Sequence, residues 1–233
     1  QESLGGGIVV LPPSPSGYRI SKTVNVTKTK IKIIGPARIY IDAGVTAFAF
    51  NFAGSSDKTG VLFENIDFTG GVIAVDVGQN TVPAPVRFYN CRFINQTTSS
   101  IKIGDFGFSG TIQQCLFEGN TRCIWMNGDA ADGWLIEQNV FIYNNDTEIV
   151  IDKANVVMIK NNIFTNNLNA TNQRHIHILN SGLAEVGSYS QIVGNKFGAE
   201  GRTLGNIIEL GGSGPSLIKG IVIKDNLLHF EWF

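Results

Sequence analysis

The sequence predicts an all-β fold, a parallel β-helix or solenoid with rungs of about 24 residues, and three observations carry that prediction. A short pattern returns along the chain as "NIDF", "NCRF", "QCLF", "QNVF", "NNIF", "GNKF" and "DNLL", its last letter at positions 68, 93, 117, 141, 164, 197 and 228. The spacings of 25, 24, 24, 23, 33 and 31 suit one turn of a coil in which each turn buries its apolar side against its neighbours. The segments are short, β-branched and rich in Asn and Gly, and they lack the 3.6-residue apolar period of helical repeats.

The elements follow in order. Residues 1–60 form N-terminal rungs, with strand-like "RIYID" and "AFAFNF" after a Gly-rich opening. From residue 61 each regular rung begins with a strand carrying the pattern, such as "VLFENIDF", "VRFYNCRF" or "VMIKNNIF", whose apolar and polar residues mostly alternate. A second strand follows, running "VIAVDV" (72–77), "SIKIGD" (100–105), "CIWMNG" (123–128), "EIVIDK" (148–153), "HIHILN" (175–180) and "IIELGG" (207–212). Alternation turns Ile101 and Ile103, Ile149 and Ile151, and Ile176 and Ile178 inward. The two longest spacings require extra loops, and polar, Gly-rich stretches at 167–174, 180–190 and 198–205 supply them. The chain reads as a single domain, residues 1–233, because 233 residues at 43% hydrophobic content need no more than one core.

Stacking explains the recurrence. Two positions before each final letter stand Ile66, Cys91, Cys115, Asn139, Asn162, Asn195 and Asn226. On rungs about 4.8 Å apart, identical Asn side chains can hydrogen-bond up the stack, and the Phe column beside them can stack ring on ring. Cys91 and Cys115 share the Asn column, but parallel Cβ vectors hold their Cβ atoms beyond the usual disulfide span, so two buried free thiols are expected.

Charge and composition exclude several classes. Eighteen basic and nineteen acidic residues give a net charge of −1, without the basic stripe that nucleic acid requires. No run of about 18 apolar residues is present to cross a membrane, so no membrane partner is expected. Three Cys lack paired zinc-ligand spacing and the Asp residues follow neither an EF-hand nor an RTX pattern, so no metal and no cofactor are expected.

The opening "GGGIVVLPPSPSGYRI" is more particular. It resembles the start of the pectate-lyase-like right-handed β-helix of bacteriophage tailspikes and some secreted polysaccharide-degrading enzymes, where a Gly-Gly-x-Val-x-Leu-Pro-Pro-Gly-x-Tyr-x-Ile pattern begins the coil. The match covers Gly5 to Ile20 and departs from the pattern where "SPSG" (14–17) lengthens the turn before Tyr18. The resemblance implies a right-handed, single-stranded β-helix, a polysaccharide ligand and its cleavage, a virion or extracellular location, and a homotrimer with parallel axes. It also implies a capping helix before the Gly-rich turn. "QESL" fits the tail of one, so the chain reads as part of a longer polypeptide. At the other end "LLHFEWF" would leave Leu227, Phe230, Trp232 and Phe233 as an apolar surface, to be covered by a further domain, neighbouring subunits or its own aromatic cap.

Two patches could carry chemistry, since a β-helix brings outward residues of successive turns together. The first is an acidic edge at the end of the second strand, with Asp105, Asp129 and Asp152 as candidate catalytic residues and Asp76 and Asp132 nearby. Carboxylates on adjacent or alternate rungs, about 5 or 9.6 Å apart, bracket the separations used in glycoside hydrolysis. Asp and Asn after a strand are equally ordinary turn formers. The second patch lies on the outward face of that strand, with Lys102, Trp125, Val150, His177 and Glu209 in one column and Glu148 beside His175 in the next. Arg174 adjoins it. Trp125, Glu148, Arg174, His175, His177 and Glu209 are candidate substrate-binding residues, because an indole offers a flat face to a sugar and an imidazole beside a carboxylate can move a proton. Cross-rung charge pairing accounts for the same residues. The alternative to a polysaccharide-cleaving tailspike is a non-catalytic structural or adhesive β-helix, or a secreted lyase.

Overall fold

Along Val86–Arg87–Phe88–Tyr89 buried and exposed residues alternate, and then the period fails: Tyr89 and Asn90 are both exposed and Cys91 is buried. In the computed structural model the backbone turns a corner there, with Asn90 at a φ of 50°. The segment read as one strand is therefore two, Val86–Tyr89 and Arg92–Ile94. The same left-handed residue recurs once per rung at Asn65, Gln114, Gln138, Asn161, Gly194 and Asp225. Asn, Asp and Gly adopt this conformation more readily than other residues, and most of the corners carry one of them. Among the described residues only Ile31–Ile41 and Val61–Gly70 continue as single strands through the bend.

The structure describes residues 6–50, 60–78, 85–105, 109–128, 131–165, 174–179, 188–200, 207–211 and 219–231, with backbone alone at 199–200 and 229–231. Among them the chain is a parallel β-solenoid of strands and turns, without helix. Each rung contributes three strands to three parallel ladders. The first begins with Gly7–Val10 and the second with Tyr18–Ile20, and the long strands fuse them into one 16-stranded sheet. The third, eight-stranded ladder runs from Val24–Val26 to Ile208–Leu210. Most of the extra loop residues at 167–174, 180–190 and 198–205 lie outside the described set, as do Trp232, Phe233 and the side chain of Phe230.

The predicted columns fill the core. Phe68, Phe93, Phe117, Phe141, Phe164 and Phe197 are paired in register and stack with ring centroids 5.2, 4.9, 4.8, 4.6 and 4.9 Å apart. Beside them, Asn139 Oδ1 accepts the amide of Cys115 at 2.9 Å, and Asn162, Asn195 and Asn226 repeat the bond for the rung before. Each Nδ2 of Asn139, Asn162 and Asn195 donates to the next Asn Oδ1 at 3.0 Å. A second ladder, which the repeat pattern did not expose, joins Gln96, Asn120 and Asn144 at another corner: Asn120 Oδ1 accepts the Gln96 amide and Asn144 Oδ1 the Asn120 amide. Such bonds are needed because a corner removes backbone amides from the sheet while leaving them buried. Cys91, Cys115 and Cys123 are buried free thiols, as expected for the first two. Leu227 and Leu228, on the last strand, are 54% and 52% exposed.

Candidate functional site

The outward face of the third ladder carries one continuous column. Register places Asp76, Lys102, Trp125, Val150, His177 and Glu209 on successive strands, about 4.8 Å apart. The column expected from Lys102 to Glu209 is therefore present, and Asp76 extends it. Asp76 stands directly opposite Lys102, its Oδ2 accepting from Lys102 Nζ at 3.2 Å, so it does not belong to the acidic edge assigned from the sequence.

A depression of about 330 Å³ lies over the middle of this column, lined by Arg122, Trp125, Asp146, Asp152, Arg174 and His177. The Arg122 guanidinium lies 5.0 Å from the centre of the Trp125 ring and pairs with Asp146 at 3.4 Å. Neither Arg122 nor Asp146 was singled out in the sequence. The signal was the Ile124–Ile149 register, which brings Arg122 opposite Thr147 and beside Asp146. At the far wall Arg174 Nη1 donates to Glu209 Oε2 at 3.1 Å and to His177 Nδ1 at 3.2 Å. A guanidinium can only donate, so His177 Nδ1 accepts and its proton resides on Nε2, which donates to the Gly211 carbonyl at 3.3 Å. Burial pushes the His177 pKa below its ordinary value; Glu209 and the Gly211 bond oppose this shift while Arg174 reinforces it. His177 thus holds Arg174 in place as a neutral ring.

The acidic edge is partly assembled. Asp105 stands two residues after Ile103 and is exposed, whereas Asp152 directly follows Ile151 two strands away and is half-buried, so the two are offset by one position in register. Two strand spacings amount to about 9.6 Å. Asp105 lines a second, polar recess of about 440 Å³ with Asp76, Lys102, Asn127 and Lys153, which adjoins the Trp125 depression along the coil. Asp129 lies outside the described residues. Asp132 accepts the Asn155 amide at 2.7 Å, a bond that ties one turn to the next.

Glu148 and His175 require a correction. They were expected on the outward face, but their side chains are 0% and 1% exposed and bond to each other at 3.1 Å inside the coil. They continue a register position occupied by Ala47, Ala74, Ser100 and Cys123, all buried. The chain enters the third ladder at this point, so two consecutive residues face inward and simple alternation fails. The small residues in the earlier rungs were the available signal. Burial pushes the Cys123 thiol well above its ordinary range, and the neighbouring Glu148 charge adds to the shift. In this conformation the Glu148–His175 pair has no surface on which to meet a ligand.

No protein-family model and no curated protein matches the sequence. Among solved structures, a double mutant of the tailspike protein of E. coli bacteriophage HK620 aligns with a TM-score of 0.50 at 13% identity, over 99% of this chain and 57% of that one. A second double mutant of the same tailspike, and a further mutant in complex with a pentasaccharide, each give 0.46 over 98% of this chain, at 12% and 14% identity and over 57% and 61% of those chains. The chain thus spans little more than half the length of the tailspike chains it matches. Its parallel β-solenoid has a fold like that of bacteriophage tailspike proteins.

Proposed function

We propose that this chain is the β-helix of a tailspike-like virion protein that binds a bacterial surface polysaccharide along the outward face of its third ladder. One observation carries the reading: an indole, two guanidiniums and several carboxylates from successive rungs converge on two adjoining depressions on that face. Aromatic and planar polar groups in an open polar groove are the chemistry that engages sugar rings and hydroxyls. Fold alone would not support this, since one fold serves many activities.

Cleavage is the second reading, favoured by the placement of Asp105 and Asp152 two rungs apart in those depressions. Their rungs lie about 9.6 Å apart along the axis, beside the upper end of the range for carboxylates that invert a glycosidic centre with a water between them. The one-position offset in register leaves side-chain rotation to set the final distance. One carboxyl would protonate the leaving oxygen while the other activates water.

Incubation with a panel of bacterial surface polysaccharides, following binding, new reducing ends and absorbance of unsaturated sugars, tests both. Binding with new reducing ends that disappear in D105N and D152N supports hydrolysis, whereas unsaturated products point to a lyase. Binding without cleavage leaves an adhesive β-helix. Absence of binding to every polymer overturns the proposal. A homotrimer is part of the proposal, and light scattering that returns a monomer mass removes that part.

A further inference from the structure

The recess beside Asp105 brings together buried acceptors from two different rungs. Asp76 and Asn127 both line it, and the Oδ1 of each is withdrawn from water and accepts no hydrogen bond. Buried acceptors without donors are uncommon in folded chains and cost free energy until a donor reaches them. The recess is also shaped by absent side chains, since Gly78, Gly104 and Gly128 form part of its lining. A β-carbon on Gly78 would stand 2.9 Å from Asp76 Oδ1, and one on Gly128 would overlap the backbone of Gly104 and Asp105 at 1.8 to 2.1 Å.

The missing donor is not a cation. Lys102 Nζ already stands 3.2 Å from the other oxygen of the same carboxylate, and Lys153 lines the same space, so two ammonium groups repel a metal ion or an amine. A negatively charged group meets Asp76 and Asp105 instead. What fits is a neutral ligand that presents several O–H or N–H donors and also accepts from ammonium groups. A sugar with free vicinal hydroxyls has that pattern.

We infer that this recess is a subsite for a neutral, hydroxyl-rich sugar residue, so that a bound glycan runs along the coil axis from the Asp76–Asn127 recess to the Trp125–Arg174 depression. The inference rests on the saccharide-binding reading above and deepens it. Trp125 and Asn127 share one short segment, as do Val150 and Asp152, so the two depressions are joined through the same rungs. The recess is centred near the Lys102 strand and the depression near the Val150 strand, two strand spacings or about 9.6 Å away. An axial path crosses these rungs without rounding a corner.

The test is titration of isotopically labelled protein with glucose, galactose, mannose, rhamnose and N-acetylglucosamine, with glucuronate and calcium chloride as charged controls. Amide resonances of Gly78, Gly104 and Asn127 report the recess, and the Trp125 indole N–H reports the depression. At least one neutral sugar should shift the recess resonances saturably, with the charged controls weaker. D76N, which preserves shape, and N127L should each weaken that response at least tenfold, the scale of one hydrogen bond to a buried acceptor. Calcium shifts at the recess without sugar shifts overturn the inference, and so does unchanged affinity in both variants. Sugar shifts at Trp125 alone overturn the subsite while leaving the binding reading standing. No response at either reporter to any sugar overturns both.

Discussion

Replacing Asn162 by Ala tests the ladder that holds one corner of the coil. The Asn162 side chain is fully buried. Its Oδ1 accepts from Asn139 N at 2.9 Å and from Asn139 Nδ2 at 3.0 Å, and its Nδ2 donates to the Ile136 carbonyl and to Asn195 Oδ1, both at 3.0 Å. Truncation does not orphan every partner. Asn139 Nδ2 keeps its bond to the Ile112 carbonyl, and Asn195 Oδ1 keeps the amide of residue 162. The amide of Asn139 is the group left buried with no replacement among these bonds, at about 1–3 kcal/mol. The weaker loss of the remaining bonds adds about 1–2 kcal/mol, for a total of about 2–5 kcal/mol. Asn226 makes the same kind of bonds at the half-buried last corner. Water can replace the lost partner there, and N226A should cost about 1 kcal/mol. Urea unfolding followed by circular dichroism measures both. Equal costs for the two variants, or less than about 1 kcal/mol for N162A, would refute the argument that the ladder satisfies amides that the corner withdraws from the sheet.

Three further outcomes are expected. Phe141 is sandwiched between Phe117 and Phe164 at 4.8 and 4.6 Å, so F141A should destabilise by about 3–5 kcal/mol, and a cost near 1 would mean that the stack collapses to fill the gap. Cys91, Cys115 and Cys123 are buried, and burial holds the Cys115 and Cys123 thiols well above their ordinary range. A thiol-reactive dye should therefore label the native protein substoichiometrically and all three thiols in denaturant; rapid native labelling would contradict the burial. His177 resists protonation in the folded chain. Below its ordinary pKa of 6.5 the unfolded state binds the extra proton first, so its contribution to stability should fall as pH drops through and below that value. Unfolding at a series of pH values should show a shallower acid-side slope for H177Q than for the parent, and identical slopes would exclude His177 as a source.

Much of the coil was readable because a solenoid converts sequence period into spatial contact. Phe117 meets Phe141 simply because each rung adds one residue to each column, and the same arithmetic put Trp125, His177 and Glu209 on one face. The corners were harder to read. Asn90 and Gln138 adopt left-handed geometry that leaves little trace in hydropathy beyond two successive polar residues, so two strands looked like one. Glu148 and His175 were misplaced for a related reason: where the chain enters a ladder, backbone direction decides which way a side chain points, and alternation holds only within a strand.

The sequence by itself determined the repeat, the strand chemistry, the Asn and Phe columns and the outward column of the third ladder, because these depend on residue type and period. The tertiary structure alone decided three things: the closing of each rung into three strands, the burial of Glu148 against His175, and the gathering of Asp76, Lys102 and Asn127 around one recess. These depend on how corners rotate the backbone and on which loops leave space open, and neither is a property of any single rung.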